Sequence, residues 1–232
     1  MKPMIGIIGK AETKYDEDLW NRITLWDEFR YMIVKNGGIA LMLLPSQETL
    51  TFNDDDIRDD TVLTEEQKED MLDQTLICDG FILQGGLASS SYEIEFAKMA
   101  IEQDKPLLGI CAGFNNILRA LGSDVVLDKT GNHNHYDISY RHPVKIEKGT
   151  MLYELIGSKE YSVNSIHTMV AQKDMVSPFA DINAYSEDGL VEGFEMDDMN
   201  FVLGLKWHPE LMREEKFTQR LFEVFMDQCR EF

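Results

Sequence analysis

Apolar positions along the chain fall into short runs separated by longer amphipathic stretches. Met4 to Ile8 is an apolar run ending at Gly9, the pattern of a buried parallel strand. Leu19 to Lys35 follows, with Trp20, Ile23, Trp26, Phe29 and Ile33 at helical spacing, and Asn36-Gly37-Gly38 supplies the stop. A helix over 19–35 is therefore expected. Ile39 to Leu44, closed by Pro45, is a second strand, so the chain opens β-α-β and implies a parallel pair with a right-handed crossover. Thr64-Glu65-Glu66-Gln67 has the form of a capping box and starts a helix to about Gln74. Cys78 to Leu83 is the third strand, Ser91 to Gln103 a helix, and Pro106 to Ile110 the fourth strand. Strands alternating with helices indicate α/β architecture with a doubly wound, mostly parallel sheet.

After Gly122 the rhythm changes. Segments 143–147, 160–164, 182–186, 190–195 and 201–207 read as strands joined by short loops and a helical turn at Met151–Ile156, and Glu214 to Arg230 closes the chain as a helix. This half is strand-rich and partly antiparallel. No linker, repeat or low-complexity tract interrupts residues 1–232, which therefore read as a single domain.

Composition narrows the function classes. The net charge of −20 argues against nucleic acid or an anionic membrane as partner, since both need a cationic face. Three cysteines, Cys78, Cys111 and Cys229, have no paired spacing, and no secretion signal or long apolar segment is evident, so a cytoplasmic location is expected. The acidic loop Gln47 to Thr61 lacks the glycine and terminal glutamate of a calcium loop and reads as a solvated, non-catalytic segment.

Candidate chemistry centres on Cys111. The fourth strand runs into Gly109-Ile110-Cys111-Ala112-Gly113 and then an amphipathic helix, the spacing of a nucleophile elbow. Two small residues let strand and helix crowd together while the side chain between them projects outward. A helix N-terminus beside the sulfur favours the thiolate. Lone cysteines are often simply core, but the strand 201–207 delivers His208-Pro209-Glu210, where proline fixes a histidine and a carboxylate in a set relation. Cys111 as nucleophile, His208 as base and Glu210 as its orienter form the candidate catalytic triad. Gly131 to Asp137 holds His133 and His135, with His142 beyond; His-x-His is a ligand spacing, but without an evident third ligand a substrate-lining loop is the better reading, and no metal is expected.

Taken in order, Lys2–Ile7, Asn36–Gly38, Asp79–Gly86, Pro106–Gly113, Val163–His167, Asp188–Glu192 and Gly204–Glu210 resemble the class I glutamine amidotransferases, in particular the peptidase C26 branch of γ-glutamyl-γ-aminobutyrate hydrolase-like proteins. The resemblance implies a flavodoxin-like three-layer α/β/α fold, no cofactor, no metal, and hydrolysis of a small γ-glutamyl amide through a thioester. It implies an oxyanion hole from the amides of Gly86 and Ala112, and substrate contacts from Gly85, Asn115, Asn164, Ser165, Ile166 and His167. It leaves room for a homodimer. Two departures stand out: Leu87 to Tyr92 is short and serine-rich, and Asn115 replaces the glutamine usual two residues after the elbow glycine. Two other readings of the same motifs are a glutaminase subunit delivering ammonia to a separate synthetase and a non-catalytic binding protein. The first needs a co-purifying synthetase; the second needs an unreactive Cys111.

Overall fold

A computed structural model describes residues 1–12, 21–52, 61–86 and 89–232. The acidic run at 53–60 and Leu87-Ala88 lie outside the described residues, as do Leu19 and Trp20 of the expected first helix. In chain order the elements are β1 (Met4–Ile8), β2 (Lys10–Glu12), β3 (Arg22–Thr24), α1 (Asp27–Lys35), β4 (Ile39–Leu43), α2 (Glu65–Leu76), β5 (Gly80–Leu83), α3 (Ser91–Glu102), β6 (Leu107–Ile110) and α4 (Ala112–Ala120). The second half holds β7 (Val126–Leu127), β8 (His142–Ile146), α5 (Met151–Ile156), β9 (Glu160–Val163), β10 (Met169–Val170), α6 (Lys173–Val176), β11 (Asp181–Ser186), β12 (Val191–Glu195), β13 (Val202–Leu205), a 3-10 turn at Pro209–Met212 and α7 (Lys216–Glu231).

Among the described residues the main sheet has nine strands in the order β4-β1-β5-β6-β13-β12-β11-β8-β9. The first five pair in parallel and the rest antiparallel. Within the parallel part, the strands follow the doubly wound order 2-1-3-4-5 of flavodoxin-like sheets. Successive residues of its central strands enter opposite cores. Ile82, Leu108, Leu203 and Leu205 face the layer of α1, α5 and α7. Phe81, Leu83, Leu107 and Val202 face the layer of α2, α3 and α4. Burial on both faces explains why these strands read as continuous apolar runs, each fully buried large side chain contributing ~1.5–3 kcal/mol.

The capping box forms as expected: Thr64 accepts from the Gln67 amide and the Gln67 side chain accepts from the Thr64 amide. The expected helix over 19–35 does not form as one unit, and among the described residues 21–35 only Asp27–Lys35 is helical. Arg22–Thr24 instead pairs antiparallel with Lys10–Glu12, where the β-branched Ile23 and Thr24 suit an extended ribbon. The buried amide of Gln84 fixes that geometry from outside the segment. Its nitrogen donates to Ile8 O (2.8 Å) and Thr24 O (2.9 Å), and its oxygen accepts from the Trp26 amide (3.0 Å). Periodicity over residues 23–33 therefore reported burial rather than a continuous helix.

Among the described residues, no helix is long and apolar enough to cross a membrane.

Candidate active site

Three adjacent parallel strands deliver their carboxyl ends to one edge: β5 into Gln84-Gly85-Gly86, β6 into Cys111, and β13 into Lys206-Trp207-His208. The pairing is in register, with Leu83 opposite Gly109 and Gly109 opposite Gly204. The Cys111 amide donates to Leu205 O (2.8 Å), which ties the nucleophile strand to the histidine strand one residue before the turn.

Cys111 has φ +54° and ψ −99°, a left-handed conformation rare for a residue with a side chain. Such a conformation costs roughly 1–3 kcal/mol and persists only where its surroundings enforce it. They do so through two glycines. A Cβ on Gly113 would lie 2.0 Å from Leu83 O, and one on Gly109 would lie 2.8 Å from the Gly113 carbonyl carbon. Strand and helix thus touch backbone to backbone, and the turn between them has no room to relax. The sulfur sits at the N-cap of α4, 3.7 Å from Ile166 O.

His208 and Glu210 are both buried, and Nδ1 of His208 lies 2.7 Å from Glu210 Oε1. The ring stands beside the nucleophile: a Cβ on Gly85 would meet His208 Cε1 at 2.6 Å and Cys111 Cβ at 3.4 Å. Burial alone would push the Cys111 thiol up. The charge of His208 and its hydrogen bond, reinforced by Lys206, outweigh burial and hold the thiol below its ordinary value. For His208, burial works against the cationic form, but Glu210 and Cys111 more than offset it, so the imidazole is raised. The pair therefore favours thiolate and imidazolium. Cys78 is pushed up to about 11, chiefly by burial, and Cys229 is also raised by burial, so neither shares that character.

Several supports were not legible in their observed roles from the sequence, Asn164 among them, which was expected at the substrate. Asn164 grips the backbone of His208 twice: its Nδ2 donates to His208 O and its Oδ1 accepts from the His208 amide, both at 2.8 Å. Trp26 stacks on the His208 ring at 5.6 Å between centroids. Lys10 and Glu93 form an ion pair of 2.9 Å with each side chain only 1% exposed. Lys10 lies against Gly86, where a Cβ would come within 2.3 Å of Lys10 Cε. Gly86 has φ +142°. The buried ammonium of Lys206 donates to Asn115 Oδ1 (2.9 Å), so a long cation reaches the shortened amide. A lysine two residues before a histidine, ending an apolar strand, was the available signal.

A small cleft at this edge is lined by Gly86, Cys111, Asn115, Ile166, His167 and Lys206, with Asn134 and Tyr136 reaching in from the 131–141 strap. Asn115, Ile166 and His167, expected as substrate contacts, and Gly86, expected in the oxyanion hole, are thus among its lining residues. Gly85, Asn164 and Ser165 are not among them. Gly85 packs beneath His208, where a Cβ would meet Cε1 at 2.6 Å. Asn164 is engaged with His208, and Ser165 Oγ donates to His133 O (2.8 Å). Their polar groups are taken up in positioning neighbours, which spacing alone does not reveal. Ala112 is the first residue of α4, beside the sulfur.

Comparisons with known proteins place the family and the fold. NtpR of Enterococcus hirae is 31% identical over 63% of this chain and 65% of its own length. The γ-glutamyl-γ-aminobutyrate hydrolase PuuD of Escherichia coli is 30% identical over 56% of each chain, so the match spans less than two thirds of either relative. The glutaminase domain of Trypanosoma brucei CTPS, solved with bound acivicin, superposes with a TM-score of 0.70 at 15% identity, covering 99% of this chain and 94% of that one. Residues 86–210, from the glycine at the end of β5 to the carboxylate beside His208, match Peptidase C26. That stretch is more than half of the sequence and contains both ends of the Cys111–His208–Glu210 constellation, and the chain belongs to the peptidase C26 family of class I glutamine amidotransferase-like proteins.

Proposed function

We propose that the chain hydrolyses the amide bond between the side-chain carboxyl of a γ-glutamyl group and a small amine. The observation that carries this reading is the strained Cys111 standing beside His208, whose Nδ1 lies 2.7 Å from a buried carboxylate. Cys111 Sγ attacks the γ-carbonyl carbon. The amides of Gly86 and Ala112 receive the oxyanion, a type of contact whose loss typically costs about 10²–10³ in rate. His208 gives its proton to the leaving nitrogen, the C–N bond breaks, and the amine departs, leaving a γ-glutamyl thioester. Water enters, gives a proton to His208 and attacks the thioester. Glutamate leaves and the thiolate returns. Glu210 holds the ring and stabilises its cation without exchanging the proton.

The cleft composition supports a carboxylate-bearing substrate. Lys206, a cation in the cleft wall beside Asn115, favours a carboxylate there. The name of PuuD points to the same bond.

The test is product analysis by mass spectrometry after incubation with γ-glutamyl amines and glutamine. Release of amine and glutamate by the parent chain, lost in Cys111→Ala, supports the reading. Turnover of glutamine only in the presence of a co-purified synthetase would replace it with ammonia delivery. A folded parent that forms no acyl adduct with any of these substrates would replace it with binding alone.

A further inference from the structure

Behind the His167 wall of the cleft lies a second cluster that the proposed hydrolysis does not use. His133 from the 131–141 strap, His142 at the start of β8 and Glu192 on β12 point one ligand atom each into a common space, all within 4.8 Å of one another. His133 is 4% exposed and Glu192 0%. His133 Nδ1, His142 Nε2 and both oxygens of Glu192 are buried without a hydrogen-bond partner. Four unsatisfied polar atoms in one pocket are costly, since each forfeits about 1–3 kcal/mol of solvation.

The geometry points to a divalent transition-metal site, zinc by its ligand chemistry, held by His133 Nδ1, His142 Nε2 and Glu192. Bonds of about 2.0–2.2 Å in a tetrahedron set ligand atoms roughly 3.3–3.6 Å apart. His133 Nδ1 lies 3.4 Å from Glu192 Oε1, too far for a good hydrogen bond and the right span for an ion between them. The outer shell fits as well. His133 Nε2 lies 3.0 Å from Asp188 Oδ2, so it donates its proton there and leaves the Nδ1 lone pair facing Glu192. A carboxylate behind a ligating imidazole is the usual arrangement at such sites. Asp188 is itself held by the Ser186 hydroxyl in the β11–β12 turn. With Nε2 protonated, Nδ1 and Glu192 are two acceptors face to face, and a cation between them resolves the conflict. A proton on Nδ1 would serve that one contact and leave His142 Nε2 orphaned; a metal satisfies all three residues.

The ion would join three separate segments and fix the strap against the cleft. His133 O accepts the His167 amide (3.0 Å) and Ser165 Oγ, and the His135 amide donates to Ser165 O (2.9 Å). Asn134 and Tyr136, between and beyond these anchors, line the cleft with Cys111. The site therefore has a structural role, setting the strap that borders the nucleophile. His135, the other half of the His-x-His spacing, stacks on Tyr140 instead.

The test uses untagged full chain carrying Cys111→Ser, which removes the competing thiolate, saturated with Co²⁺ or Zn²⁺ and desalted. About one metal per chain is expected, with a visible Co²⁺ ligand-field band of four-coordinate nitrogen–oxygen type and a melting temperature that rises with metal. His142→Ala and Glu192→Gln should each abolish the band. Asp188→Asn should weaken binding about 10- to 100-fold while the band persists. Less than a tenth of an equivalent bound by folded Cys111→Ser protein at saturating metal would overturn the site and leave a protonated histidine network. So would a band unchanged in folded His142→Ala. Because metal content and spectrum are read rather than turnover, failure here is distinguishable from failure of the hydrolase reading.

Discussion

Two buried histidine–carboxylate groups share this sheet, and they differ in closure. His208 and Glu210 meet at 2.7 Å, a short charge-assisted contact with no space between them. His133 and His167 stand 3.4 Å and 3.6 Å from Glu192, close enough to feel its charge but too far for good hydrogen bonds. The first pair is two residues apart and fixed by Pro209. The second draws on a strap, a loop and β12. A contact made within one turn closes to van der Waals limits, whereas one assembled from three segments is set by the spacing of the sheet and leaves room. The closed pair suits a proton relay. The open group suits an ion.

Breaking the closed group should have the largest consequences. Cys111→Ala should reduce hydrolysis by at least about 10⁴-fold, and His208→Ala should come close, measured as amine release. Glu210→Gln should cost roughly 10- to 100-fold less than His208→Ala, because the base survives and only its orientation and charge balance suffer. Equal losses at Glu210 and His208 would mean that the carboxylate does more than orient.

The frame around the closed pair comes next. Gly113→Ala drives a methyl into Leu83 O and should destabilise by about 3 kcal/mol, lowering the melting temperature by roughly 6–12 °C. Asn164→Ala removes both grips on the His208 backbone and should cost about 2–3 kcal/mol, with a fall in kcat larger than any change in KM. A variant that melts as the parent does would show that the grip is dispensable.

The pH dependence sharpens the same contrast. Cys111 is lowered, so its thiolate should persist as pH falls below the ordinary thiol value of about 8.5, and its alkylation rate should drop at a lower pH than that of a free thiol. His208 is raised, so the imidazolium should persist as pH climbs past about 6.5, and turnover should decline only on the alkaline side of that value. Brief substoichiometric alkylation at neutral pH should label Cys111 and spare Cys78 and Cys229, both raised by burial. Equal labelling of all three, mapped by peptide analysis, would end the thiolate assignment. The smallest effect is the control: Thr64→Ala should cost about 1 kcal/mol through the lost cap and leave labelling unchanged.

Local pattern alone determined much of this protein. Apolar runs at Met4–Ile8, Gly80–Leu83 and Leu107–Ile110 predicted the parallel strands because strands buried on both faces need apolar residues throughout. The Thr64–Gln67 box and the glycine frame of Cys111 were equally readable, since caps and elbows are satisfied within a few residues. His208-Pro209-Glu210 belongs with them. Other features depended on which strands became neighbours. The hairpin of Lys10–Glu12 with Arg22–Thr24 is held by Gln84, sixty residues away, so helical spacing misread it. Lys206 meets Asn115 only because β13 lies beside β6. Glu192 joins His133 and His142 because the antiparallel half folds three distant segments to one side of the sheet, and a sequence pattern carries no signal for groups that share no turn, helix face or strand.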